Sequence, residues 1–304
     1  MSCISPMQIK SAEGSIKYVP CRHCVGCTIK KIQDLRIYGT AEQTFQALKG
    51  RSSSFIRLSY NDANLPVIYN GELKRLGELV QNGKVPTNFD MTLLKTDFQN
   101  FMKRVRQDIA RKYDQRKIKY MYCGEYGDEG NRPHYHIVLF GVSPLEAKVI
   151  IGKQWNFGFI DYKPLESGAI RYISDYMFND VFGELREQKY TSKGIEPPFL
   201  HRSKNIGTHY LKQFEDSGLV KIDGTKKAFP YYYKKKYGVT ADKYIKKDEL
   251  LQYMQESIKK SEEYVIRKRQ RAQAVFDARP SSPCCNMEKQ KINHLAVKAL
   301  EETK

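Results

Sequence analysis

The sequence predicts an α+β protein whose core is an antiparallel sheet, and three observations carry that prediction. Stretches rich in β-branched and aromatic residues occur at 53–60, 119–126, 132–140 and 155–162, each bounded by turn-forming residues. Apolar residues at helical spacing occupy two of the intervals between them. The second and third stretches are joined only by Gly127-Asp128-Glu129-Gly130-Asn131, short enough for a hairpin.

The first strand, Ser-Ser-Phe-Ile-Arg-Leu-Ser-Tyr at 53–60, ends at the turn cluster Asn61-Asp62-Ala63-Asn64. Asp90 then reads as the N-cap of a long helix in which Leu94, Phe98, Phe101, Met102, Val105 and Ile109 recur at helical spacing. Residues 119–126 form the second strand. Pro133 suits the first position of the third, where a missing N–H does least harm, and Gly141 punctuates its end. Ser143, Pro144 and Glu146 occupy the N-cap, N1 and N3 positions of a capping box, so a second helix starts there. A fourth strand is expected over 155–162 and a further helix over 167–178. In that helix Ile170, Ile173 and Met177 fall within roughly 60° of one another, while Tyr172 and Tyr176 lie about 40° apart on the far side. The order β-α-β-β-α-β is that of a ferredoxin-like (RRM-like) sheet with helices on one face.

Chemistry concentrates on the third strand, Arg132-Pro133-His134-Tyr135-His136-Ile137-Val138-Leu139-Phe140. Alternate residues of a strand share a face, so His134 and His136 form a two-pronged metal grip and Tyr135 points the other way. Alternating histidines also occur as half-exposed sheet surface. Glu125, across the hairpin, becomes the third ligand if the register sets it opposite; otherwise it is a surface glutamate at a hairpin end. Two imidazoles and a carboxylate suit Mg²⁺ or Mn²⁺ with positions left for a phosphate. Asp128 and Glu129, in the loop, are weaker candidates. Next to such a site, Tyr172 and Tyr176 read as paired phenol nucleophiles for phosphoryl transfer. The bland alternative is two amphipathic tyrosines half-burying their rings.

The 304 residues carry 52 Lys+Arg against 34 Asp+Glu, a formal net charge of +18, which attracts polyanions. No run approaches 18 apolar residues and the mean hydropathy is −0.62, so nucleic acid rather than membrane is the expected partner. The polar start has no apolar signal core, so the chain is expected in the cytoplasm where it is made. Seven cysteines suit a reducing compartment. Cys21, Cys24 and Cys27, with Cys3 and His23 as fourth-ligand candidates, read as a structural Zn²⁺ site, as unmetallated thiols, or as an iron–sulfur loop in which Lys30 and Lys31 replace the next cysteine. Cys123, Cys284 and Cys285 show no ligand spacing.

After residue 180 the signal is binding. Tyr231, Tyr232 and Tyr233 followed by Lys234, Lys235 and Lys236 mix stacking rings with phosphate-seeking charge, as in a single-strand groove, or else form an aromatic edge strand with a solvated lysine run. A helical stretch carries Leu250, Leu251, Met254 and Ile258, a break follows over 278–286, and 287–304 is a short helix or frayed tail. With no P-loop, an intrinsic helicase is not expected. The expected organisation is a Cys-containing segment (1–50), a catalytic core (51–180), a DNA-binding extension (181–240) and a basic helical tail (241–304).

Five blocks now carry a resemblance: Cys21 to Cys27 after Val19-Pro20; Gly124-Glu125-Tyr126-Gly127 leading into Arg132 to His136; Tyr172-Ile173-Ser174-Asp175-Tyr176; Ser203-Lys204-Asn205-Ile206-Gly207; and Phe229-Pro230-Tyr231-Tyr232-Tyr233-Lys234. Together they resemble the HUH endonucleases and, within them, the replication-initiation proteins of gokushovirus-type microviruses, over roughly residues 19 to 237. The resemblance implies a rolling-circle initiator in the host bacterial cytoplasm that nicks a single-stranded DNA origin. In it His134, His136 and Glu125 hold one divalent ion, and Tyr172 and Tyr176 form the phosphotyrosyl link. Arg132, Lys204, Tyr231, Tyr232, Lys234, Lys235 and Lys236 contact nucleic acid, and a host polymerase and helicase complete replication. The chain departs from the family at Asp175, where lysine is common, and at Arg57 and Ser59, where threonines are usual. An aspartate there is expected to repel a phosphodiester, with Arg57 and Arg171 as candidates for the missing charge. That departure keeps a second reading open, a non-catalytic single-stranded nucleic-acid-binding protein, either a decayed initiator or an RNA reader.

Overall fold

The structure is a computed structural model that describes residues 3–10, 14, 16–22, 24–81, 84–112, 118–127, 130–166, 168–175, 184–214, 219–222, 225–230, 232–233 and 250–277. In chain order the elements begin with β1 (Met7–Lys10), β2 (Ile16–Val19), α1 (Val25–Leu48), β3 (Ser54–Tyr60), β4 (Pro66–Tyr69), β5 (Glu72–Arg75), β6 (Asp90–Met91), α2 (Lys95–Lys112), β7 (Lys119–Tyr126) and β8 (Pro133–Phe140). They continue with α3 (Pro144–Ile151), β9 (Gly158–Pro164), α4 (Ala169–Asp175), α5 (Glu184–Lys189), β10 (Phe199–Arg202), α6 (Thr208–Leu211), β11 (Leu219–Ile222), β12 (Thr225–Ala228) and α7 (Leu250–Asp277).

The chain divides into two compact units. The first comprises Met1–Gln33, Val181–Leu185 and Thr240–Lys304. It contains the antiparallel β1–β2 hairpin, the start of α1, and α7. On α7, Lys260 pairs with Glu256 at 3.0 Å and Arg267 with Glu263 at 3.1 Å, both one turn apart, so part of its positive charge is matched within the helix. The break expected at 278–286 and the tail beyond it lie outside the described residues. Among the described residues no helix is long and apolar enough to cross a membrane.

The second unit, Asp34–Asp180 with Arg186–Val239, is a mixed helix and sheet structure. Its five-stranded sheet has the order β10-β7-β8-β3-β9, every neighbouring pair antiparallel. Both faces are covered, which corrects the expectation of helices on one face. Ile56, Leu58, Tyr122, Tyr135 and Ile137 pack under α2 and α3, against Phe98, Phe101, Val105 and Ile150. Met121, Cys123, Val138 and Phe140, pointing the opposite way, are covered by Leu35 and Tyr38 of α1 and by Ile170 and Ile173 of α4. The reason is visible in β8, where the run Ile137-Val138-Leu139-Phe140 is apolar on both faces and each side needs a cover.

Two boundaries also differ. Asp90 is not a helix cap: its backbone pairs with Ile68 of β4, which delays α2 to Lys95. Trp155 does not open the last strand, because its indole N–H donates to the Ser59 carbonyl at 3.0 Å from within the core and β9 starts at Gly158.

A buried polar network ties the histidine strand to α2. Tyr135, fully buried, donates to the Leu94 carbonyl at 2.8 Å and accepts from the Leu94 N–H at 3.1 Å. Its hydroxyl lies 2.8 Å from that of Tyr60, which donates to Asp97 at 2.7 Å, and Arg75 closes on Asp97 at 2.8 Å. Burial pushes both phenols well above their usual range, so they stay neutral. Tyr135→Phe strands the Leu94 groups and is expected to cost about 1–3 kcal/mol, read as a lower urea midpoint. An unchanged midpoint would show that the network adds nothing to stability.

Candidate metal site and its tyrosine

The β7–β8 register sets Glu125 opposite His134 and Cys123 opposite His136. Directly opposed residues of an antiparallel pair share a face, so the glutamate and both imidazoles converge. Glu125 Oε1 lies 2.6 Å from His134 Nε2 and 2.6 Å from His136 Nε2. The carboxylate is 2 % exposed and His136 6 %. Burial alone would raise the Glu125 carboxyl, but hydrogen bonds from His134 and His136 outweigh it and hold the group below the usual carboxylate value.

The donor set fits a cation. His134 Nδ1 is 3.1 Å from the Arg132 carbonyl, which only accepts, so Nδ1 carries the proton and, in a neutral ring, Nε2 presents a lone pair to Glu125. Two lone pairs at 2.6 Å repel unless a proton or a metal ion lies between them. Glu125 Oε2 is buried with no hydrogen-bond partner among the described residues. Two nitrogens and one oxygen within 4.8 Å of one another match the preference of a first-row or Mg²⁺-like ion for mixed hard donors.

On α4, Ile170 and Ile173 face the sheet, and Tyr172, 44 % exposed, does not. Its ring stands edge-on to His136, with centroids 5.4 Å apart at 86°, and edge-on to Phe55 at 6.2 Å. One phenol is thereby set against a ligand of the candidate metal site; Tyr176 lies outside the described residues. Helix α1 brings α4 close because residue 39 is glycine: a Cβ there would stand 2.7 Å from Ile170 Cγ2.

Asp175 is not an uncompensated charge. Arg36 of α1 hydrogen-bonds to it, and Arg171 lies 3.7 Å away. Such a charged hydrogen bond contributes roughly 1–3 kcal/mol when partly buried. The expected repulsion of a phosphodiester is therefore cancelled by a residue that no local motif contains. Arg171 is occupied on Asp175. Arg57 stands opposite His136 in register and pairs with Asp161 at 3.7 Å.

Beside the ligands an open groove of about 480 Å³ is lined by Arg57, Ser59, Arg132, His134 and Phe159. Arg132 sits on its rim, donating to the Tyr60 carbonyl at 2.9 Å and pairing with exposed Asp62 at 2.7 Å. Lys204 is elsewhere. Its carbonyl accepts from Lys119, six residues along β7 from Glu125 and so roughly 20 Å away. The aromatic run divides: Tyr233 is fully buried, its ring 5.1 Å from that of Tyr38, whereas Tyr232 is exposed under the Arg202 guanidinium at 5.8 Å. Tyr231, Lys234, Lys235 and Lys236 lie outside the described residues, as does His23. Cys3, Cys21, Cys24 and Cys27 converge, their sulfurs within 4.8 Å of one another.

Sequence reasoning missed Arg36 and Phe55. Phe55 was within reach, since it lies two residues before Arg57 on an alternating strand; Arg36 was not, because α1 itself went unrecognised.

Residues 86–181 match the family model for replication-associated proteins of the ORF2 type, a span that takes in Glu125, His134, His136, Tyr172 and Tyr176. The chain is 23 % identical over 244 residues to Replication-associated protein ORF4 of Chlamydia phage 1, covering 71 % of this chain and 52 % of that protein. It thus spans about half the length of that relative. It is 24 % identical over 272 residues to Replication-associated protein VP4 of Bdellovibrio phage phiMH2K (77 % of this chain, 76 % of that protein). It is 25 % identical over 304 residues to Replication-associated protein ORF2 of Spiroplasma virus 4 (91 % and 83 %). No solved structure matches the chain. The likeness to replication-associated proteins of gokushovirus-type microviruses, drawn from the five motif blocks, is borne out by these matches.

Proposed function

We propose that this chain initiates rolling-circle DNA replication by nicking a single-stranded origin and later rejoining the displaced strand into a circle. The observation that carries the proposal is the carboxylate oxygen 2.6 Å from two imidazole nitrogens, with the Tyr172 ring 5.4 Å from one of those imidazoles. The split β-α-β order around β7-β8-β3-β9 supports a ferredoxin-like sheet of the HUH endonuclease type. The relatives' printed names support the replication role, and the groove rimmed by Arg57, Arg132 and Phe159 supports single-stranded DNA as substrate.

Glu125, His134 and His136 would hold a Mg²⁺ or Mn²⁺ ion, which when bound supplies positive charge to a non-bridging oxygen of the scissile phosphate. Tyr172 or Tyr176 attacks phosphorus in line. A bond forms between the phenolic oxygen and the 5′-phosphate, the bond to the 3′ oxygen breaks, and that oxygen takes up a proton. The free 3′-OH is then extended by a host polymerase as a host helicase opens the duplex. The second tyrosine cuts the regenerated origin, and the 3′-OH released attacks the first phosphotyrosine, closing the circle. Both steps take place in the host bacterial cytoplasm. With Asp175 neutralised by Arg36, a decayed, purely DNA-binding or RNA-reading protein has lost its main support.

The test is incubation with Mn²⁺ and single-stranded genome DNA labelled on the 3′ side of the origin, then a denaturing gel. Label migrating with the protein is the expected result; label confined to intact DNA that is nonetheless bound sinks the proposal. A sharper prediction concerns Asp175→Lys. It sets three cations, Arg36, Arg171 and the new lysine, against one another, so adduct formation is expected to fall several-fold while Asp175→Asn falls less. A faster reaction in the lysine variant would mean that the motif lacks a cation after all.

A further inference from the structure

We propose that Cys3, Cys21, Cys24 and Cys27 form a tetrathiolate site for one structural zinc ion, wholly within the first unit and separate from the replication chemistry. The Cys21 and Cys27 sulfurs are 4.0 Å apart and those of Cys3 and Cys24 are 3.7 Å apart. Four sulfurs at about 2.3 Å from a tetrahedral zinc ion are separated by about 3.8 Å. The observed edges fit that tetrahedron. They are far too long for a disulfide of about 2.05 Å, and too short for a cubane, whose irons push the thiolates further apart.

Backbone donors are already aimed at the sulfurs. The Cys21 N–H donates to Cys3 Sγ at 3.2 Å, the Arg22 N–H to Cys27 Sγ at 3.3 Å, and the Cys24 N–H to Cys21 Sγ at 3.3 Å. Buried cysteines acting as small apolar side chains attract no such donors, whereas metal-bound thiolates gain from each. Arg22 takes a left-handed φ of 70°, which a non-glycine residue adopts only where its surroundings hold it, and this turn carries Cys21 and Cys24 to one centre. Soft sulfur donors select zinc over the magnesium or manganese suited to Glu125, His134 and His136. Cys3 reaches the site across the β1–β2 hairpin, 18 residues before Cys21, so one ion would tie that hairpin to the first turn of α1.

The test uses the full chain carrying His134→Ala and His136→Ala, so that the other candidate site cannot contribute. Metal analysis and native mass spectrometry after expression with zinc are expected to find one zinc per chain, lost when Cys3→Ser or Cys24→Ser is added. Zinc-edge X-ray absorption on the cysteine-intact chain reports the ligands even if the serine variants do not fold, and four sulfurs are expected. A zinc-free protein, an iron chromophore, or a shell containing nitrogen, as ligation by His23 would give, overturns the four-cysteine assignment.

Discussion

Replacing His134 or His136 with alanine is expected to reduce strand cleavage by about 10²-fold or more, the scale on which electrostatic stabilisation of a charged transition state operates, while single-strand binding persists. Each substitution removes one of three ligand atoms and leaves Glu125 with a single imidazole partner in a site where it is almost completely buried. Glu125→Gln is expected to act less completely, since its amide oxygen can still coordinate. Cleavage rates in Mg²⁺ and Mn²⁺ beside binding isotherms separate the two effects, with circular dichroism as the control for folding. A single mutant that cuts at the parental rate would place the metal site elsewhere.

The tyrosine pair gives the second large effect. Tyr172→Phe or Tyr176→Phe alone is expected to leave some first-round covalent adduct, the double variant none, and circular product is expected to suffer more than adduct in either single variant. Closing the circle requires a second attack while the first phenol is occupied. Mass spectrometry of the trapped peptide identifies the residue attacked. Because Tyr172 abuts His136, its peptide is the one expected to dominate; label on an unrelated phenol such as Tyr162 would remove the pair from the mechanism.

Much of this site could be read from local spacing. A period of two on one strand puts His134 and His136 together, a hairpin brings Glu125 opposite, and a helical period separates Tyr172 from Ile170 and Ile173. What escaped was set by contacts between distant residues. Helix α1 is buried on several sides, from Ile29 and Ile32 to Tyr38, Gly39 and Ala41, so it lacks the polar stripe that makes a helix recognisable. With α1 unseen, Arg36 could not be matched to Asp175, 139 residues away. Asp90 was misread for a similar reason, since pairing with β4 outweighed its capping propensity. Tyr233 looked like a stacking platform because its burial against Tyr38 depends on that same missed helix.

The hydroxyl of Tyr135, clamped to both backbone groups of Leu94, also sets which changes of length the chain can absorb. Residues may be added or removed between Tyr126 and Pro133 without altering which side chains face the ligands, provided that the hairpin closes. Deleting one residue between Pro133 and His136 is different: it would turn the phenol toward the metal site, push an imidazole into the aromatic core, and release the clamp. Natural and engineered variants of this fold should therefore vary freely in the connection and never in the spacing of the three residues that follow it.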